Sequence, residues 1–216
     1  MLEVEFIRPS YNLFIHFLTK WLTYYNILVN IIKKSEDLSL KKINIRQMTL
    51  VSLFAALTAV GAFISIPLYP VPLTLQTLFT LLSGMTLGCV LGASSQIIYV
   101  LLGIVGLPVF AGFKAGIGIL FGPTGGFLLG FIISAYIVGR MIELKEEKNI
   151  FYYFLVGLLG TIIIYIIGVA QLSLVTGIGV KKAVAVGMLP FLPGDMLKII
   201  AASFIAHKLK LVTQIK

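Results

Sequence analysis

The sequence predicts an all-α membrane protein of six transmembrane helices, preceded by an amphipathic helix. Composition points there first: of 216 residues, 59% are hydrophobic and only 12% are charged, with a mean hydropathy of +1.05. Soluble domains carry about 25% charged residues. Patterning points the same way, because from Met48 onward apolar runs recur at close to the ~20 residues that cross a bilayer core as a helix. The charges agree too: the 17 Lys and Arg mostly flank those runs, where basic residues set membrane topology. That placement accounts for the net charge of +9 without nucleic acid, since no soluble module carries a basic patch interleaved with aromatics. The single Cys, Cys89, excludes an internal disulfide and a cysteine-cluster metal site.

Residues 1–47 form a segment of their own. Between 11 and 33, Asn12, His16, Lys20, Thr23, Asn26, Asn30 and Lys33 recur at helical spacing, with Phe14, Phe17, Leu18, Trp21 and Leu22 opposite. Polar residues run through its whole length, which suits a helix lying in the interface rather than one that spans. The alternative is that translation starts at Met48 and 1–47 is an over-extended reading frame. Lys33, Lys34, Lys41, Lys42 and Arg46 place this end in the cytoplasm.

Run one covers 48–66. Ser52, Ala56 and Ala59 form one small-residue row on it, and Ala55, Ala59 and Ala62 form a neighbouring one. Such rows let helices approach closely in lipid, either within the bundle or against another membrane subunit. The segment Pro67-Leu-Tyr-Pro-Val-Pro72 cannot be helical, because proline fixes φ and removes donors. Runs two (about 73–88) and three (about 90–107) are joined by a tight, uncharged turn. Run four is about 124–141, a charged connector spans 140–148, run five is about 151–174, and run six is 183–206, broken by Pro190 and Pro193. The domains read as 1–47, a 48–208 transmembrane domain, and a 209–216 cytoplasmic tail. Six spans put both termini on one side, the basic one, so the termini are expected in the cytoplasm of a multi-pass cell-membrane protein. The loops 67–72, 108–123 and 174–182 then gather on the outer face.

Two stretches carry the candidate chemistry. Gly106 to Gly126 holds seven glycines, two prolines and one charge, Lys114. Glycine admits close approach of backbone or ligand, and a lone Lys in an apolar setting is costly unless paired. This loop is expected to form one wall of a site for a small anionic molecule. In Pro193-Gly-Asp-Met-Leu-Lys198, Asp195 and Lys198 are three apart and so share a helix face. The helix dipole favours Asp195 near the N-terminus and disfavours Lys198. The two either pair to hold the helix end or face a polar cavity together with Lys114. Gln76 and Tyr99 could reach the same cavity; each alone could equally be an interhelical hydrogen bond.

Enzyme chemistry finds little support. There is no P-loop ending, no dinucleotide fingerprint, no His-Glu-x-x-His and no Gly-x-Ser-x-Gly. Asp195 is the sole acid within the secure spans, so paired carboxylates are absent. No ATPase domain is present. The residues alone leave open a stand-alone carrier or channel for a small solute.

Four motifs, in the same order, resemble those of one known family. These are Ile66-Pro-Leu-Tyr-Pro-Val-Pro-Leu-Thr-Leu-Gln-Thr77, Gly106-Leu-Pro-Val-Phe-Ala-Gly112, Gly122-Pro-Thr-Gly-Gly126, and Pro190-Phe-Leu-Pro-Gly-Asp195 with Lys198. Together they resemble the BioY family, the biotin-specific substrate-binding (S) subunits of energy-coupling factor (ECF) transporters, over about 48–206. The resemblance implies an S-component-like six-helix bundle with the 67–72 loop closing over a biotin pocket. It implies that Lys114, Asp195 and Lys198 line that pocket, without saying which Lys meets the biotin carboxylate. It implies that small residues on run one (Ser52, Ala55, Ala56, Ala59) dock a transmembrane coupling subunit, which binds a pair of ATPases. No cofactor is implied, a stand-alone carrier for another vitamin-like solute is the alternative, and a homo-oligomer stays open.

Overall fold

The computed structural model describes residues 44–146 and 148–209. The amphipathic helix expected within 1–47, all but the end of that segment, and the 210–216 tail lie outside the described residues. The rest is a helical bundle: α1 (Ile45–Phe63), α2 (Gln76–Leu87), α3 (Cys89–Ile104), α4 (Gly125–Leu144), α5 (Ile150–Thr176), α6 (Val180–Gly187) and α7 (Leu192–Leu209). Helices α1, α4 and α5, and the stretch Val180–Leu209 taken whole, are long and apolar enough to cross a membrane. The protein is membrane-embedded.

The second and third runs give shorter helices than expected. Helix α2 has 12 residues, about 18 Å at 1.5 Å per residue, against a hydrocarbon core of ~30 Å. Its shortness is tolerated because ten of those residues are buried, so its environment is protein rather than lipid. The sixth run divides at its prolines into α6, a 3-10 turn at Leu189–Phe191, and α7. The 67–72 loop is the tip of a small hairpin, in which β1 (Ser65–Ile66) pairs antiparallel with β2 (Leu73–Thr74), Ser65 opposite Thr74. Its Tyr69–Pro70 peptide is cis.

Two apolar clusters fill the bundle. One holds Phe54, Leu81, Met85, Val138, Ile142, Tyr153 and Ile199. The other, under the hairpin and the glycine loop, holds Tyr99, Phe110, Phe127, Phe131, Ile164, Leu172 and Phe191. A buried amide lies among α1, α2 and α3: the two N–H groups of Gln96 Nε2 share the hydroxyls of Thr58, Ser83 and Ser95 as acceptors, and its Oε1 accepts from Thr80. With hydroxyls on every side, this polar group needs no water in the apolar interior.

The α2–α3 turn is held from a distance. Gly88 has φ +86, which only glycine adopts without strain. Glu143, from the end of α4, accepts from Cys89 N at 2.9 Å and from Cys89 Sγ at 3.1 Å. It caps α3 as an N-cap residue would, but from 54 residues away. Glu143→Ala is therefore expected to destabilise the protein by about 1 kcal/mol, the typical cost of a lost helix cap. A lower midpoint of thermal unfolding in detergent checks this; an unchanged midpoint would show the cap to be idle.

Candidate substrate-binding site

The site is built at the loop end of the bundle. Gly103 leaves room on α3, and the Phe110 ring fills that room, edge-on to Tyr99 at 5.7 Å. Phe110 N donates to Lys114 O at 3.1 Å, closing a tight turn. Gly112 at φ +73 and Phe113 at φ +57 shape that turn. Lys114 is thus fixed at the root by a buried aromatic, while its side chain is exposed. Further along, Gln171 on α5 donates from Nε2 to the carbonyls of Leu120 (2.5 Å) and Gly122 (3.0 Å). The amide satisfies the Leu120 carbonyl, adds a second donor to the Gly122 carbonyl, which also accepts from Gly125 N at 3.2 Å, and ties the far end of the glycine loop to the bundle.

Between these loops and the helices lies a cavity of about 780 Å³, counting its open mouth. Phe110, Phe127, Phe131, Phe191 and Ile164 form its apolar wall. Gln76, Thr77, Thr124, Lys114, Asp195, Lys198 and Tyr165 bring polar groups to it.

Asp195 and Lys198 are 4% and 7% exposed, and Lys198 Nζ donates to Asp195 Oδ1 at 2.6 Å. Tyr165 Oη donates to Asp195 Oδ2. Asp195 stands in the first turn of α7, where the helix dipole favours an anion. Both carboxylate oxygens are engaged, yet each keeps lone-pair capacity. Among the described residues the Lys198 ammonium makes this one hydrogen bond, leaving two of its three donors. The pair is therefore net neutral and offers both an acceptor and donors. Lys114 differs: among the described residues it makes no ion pair or side-chain hydrogen bond.

Four of the five residues expected from sequence, Gln76, Lys114, Asp195 and Lys198, line this one cavity. Asp195 and Lys198 pair with each other and also face the cavity. Tyr99 is a correction. It is fully buried behind the wall, accepting from Gln76 Nε2 at 2.6 Å and donating to Val109 O at 3.1 Å. It braces Gln76 and the glycine loop instead of lining the cavity. Thr74 Oγ1 donates to Gln76 Oε1 at 3.0 Å, so one amide N–H of Gln76 is left over. Tyr165 was missed as a site residue: it sits in an apolar run, and only its reach to α7 reveals it. Ala55 is a second correction. It is 1% exposed and packs in the core, whereas Ser52 and Ala56 face outward and Ala59 is half-buried.

Fold and site together define a membrane-embedded solute-binding protein, with a neutral buried ion pair at the back and, among the described residues, an unpaired cation at the mouth. The sequence matches the BioY family over residues 34–214. It is 46% identical to the biotin transporter BioY of Thermotoga maritima, covering 76% of this chain and 96% of that protein. It is 44% identical, with the same coverages, to the probable biotin transporter BioY of Pyrococcus horikoshii. The fold is similar to the crystal structure of the S-component for biotin from an ECF-type ABC transporter. That similarity has a TM-score of 0.73 at 26% identity, covering 79% of this chain and 94% of that one. The chain belongs to the BioY family, and it is a transport protein rather than an enzyme.

Proposed function

We propose that this chain is the biotin-binding S subunit of an ECF-type transporter in the cytoplasmic membrane, capturing the vitamin from outside with its termini in the cytoplasm. The observation that carries this reading is the split of charge in the cavity. Biotin has a neutral ureido ring at one end and a carboxylate at the other. The Asp195–Lys198 pair suits the ring, with Asp195 accepting from a ureido N–H and Lys198 donating to its carbonyl. The remaining N–H of Gln76 adds a second donor. Lys114 suits the carboxylate, and the phenylalanine wall takes the thiophane ring and the aliphatic chain. Capture is binding without chemistry, and no cofactor is needed.

The hairpin tip at 67–72 closes over the bound vitamin. The outward Ser52 and Ala56 on α1, with the half-buried Ala59 beside them, fit close packing against the transmembrane coupling subunit, which carries a pair of ATPases. ATP used there supplies the energy of release on the inner side.

Purified protein in detergent should retain labelled biotin at sub-micromolar concentration and exchange it for unlabelled biotin. Absence of retention, with retention of another vitamin, would overturn the assignment. Gln171→Leu should leave the bundle folded while freeing the glycine loop. Because the Gly122 carbonyl keeps its Gly125 N donor, the net loss is that of the Leu120 bond, about 1 kcal/mol, which corresponds to biotin held roughly fivefold less tightly, seen as faster release.

A further inference from the structure

The cavity described above does not end at Lys114. A second hollow adjoins it, between the hairpin tip and the glycine loop, and the two share Pro70, Pro72, Ala111, Lys114, Ile119 and Thr124. Among the described residues, Lys114 is the sole charged one lining the outer hollow. The rest of its lining is small or apolar, with Gly112, Gly118 and Gly122 on one side and Pro67, Leu68 and Tyr69 on the other. A Cβ added at Gly118 would meet nothing within 4 Å, so the hollow is unfilled there. Its rim is open, since Tyr69 is 98% exposed.

A ligand whose carboxyl end lies at Lys114 therefore has open space directly beyond that end. From this continuity we infer that the substrate class includes biotin extended through its carboxyl group as an amide. The form in view is biotin linked to the side-chain nitrogen of lysine, alone or in a short peptide, as left when a biotinylated protein is degraded. The inference rests on the orientation proposed above.

The chemistry tolerates the change. An amide carbonyl still accepts from the Lys114 ammonium. What is lost is one exposed charge pair, and such pairs are weak, so the amide is held roughly fivefold less tightly than the acid. The lysine portion lies in the outer hollow, and the hydrogen bonds to the ureido ring are unchanged.

Competition by Nε-biotinyl-lysine against labelled biotin on the purified protein tests this. The expected result is half-displacement at a concentration within about tenfold of unlabelled biotin. Gly118→Trp, which fills only the outer hollow, should weaken the lysine conjugate at least tenfold while leaving biotin unchanged. No displacement at a hundredfold excess would overturn the inference while the biotin assignment stands. Displacement that Gly118→Trp does not affect would overturn it also, by placing the extension elsewhere. Failure of biotin itself to bind would instead bring down the proposed function.

Discussion

Asp195→Ala is expected to abolish biotin retention and to destabilise the protein more than any other single change at the site. The carboxylate is 4% exposed, and it accepts from Lys198 at 2.6 Å and from Tyr165. Removing it leaves a buried ammonium with no counter-charge and a buried phenol with no acceptor. Breaking a buried ion pair from one side costs about 3–5 kcal/mol. Binding falls further, because the acceptor for the ureido N–H is gone and Lys198 is no longer aimed. A loss of at least a hundredfold is expected, on the scale of one or two hydrogen bonds to charged groups. Asp195→Asn, which keeps shape and one acceptor, should fold well and bind roughly tenfold to a hundredfold more weakly. Labelled-biotin binding beside thermal unfolding in detergent reads both effects. Normal affinity in Asp195→Asn would remove Asp195 from the site.

The second large effect is expected from changing both partners. Asp195→Leu with Lys198→Met replaces the pair by apolar side chains of similar size. Such replacements are often neutral or stabilising, because desolvating two charges offsets most of their attraction. The double variant should therefore unfold no earlier than wild type, and later than either single variant. It should nevertheless bind no biotin, since a neutral ureido ring in an apolar pocket leaves its own donors and acceptor unpaired. A pair that merely pinned the start of α7 would give the opposite result, with binding recovered alongside stability. The double variant thus separates structural from functional use of the same two residues.

Much of this site was legible in the sequence because its chemistry is local. Asp195 and Lys198 are one helical turn apart, and a buried charge in an apolar run announces itself. Lys114 is legible for the same reason, as the lone charge among seven glycines. Residues acting through space were not. Tyr165 lies 30 positions from Asp195, Gln171 about 50 from the loop it clasps, and Glu143 54 from the helix it caps. Each is an ordinary polar residue until the bundle forms. Tyr99 shows the converse error: it reaches Gln76, but its place on the surface of α3 puts it behind that residue rather than in the cavity. Ala55 failed likewise, since Ala55 and Ala56 point to different sides of α1. Periodicity fixed neither the 12-residue length of α2 nor the two-residue strands of the hairpin, because burial and loop pairing decide both.

A structure of the protein with biotin bound tests the central claim most directly. The account predicts the ureido ring at the Asp195–Lys198 pair, with donor–acceptor distances of about 3 Å, and the carboxylate at Lys114. A bound biotin whose ring lies away from Asp195 and Lys198, with that pair unchanged and contacting only protein, would contradict it.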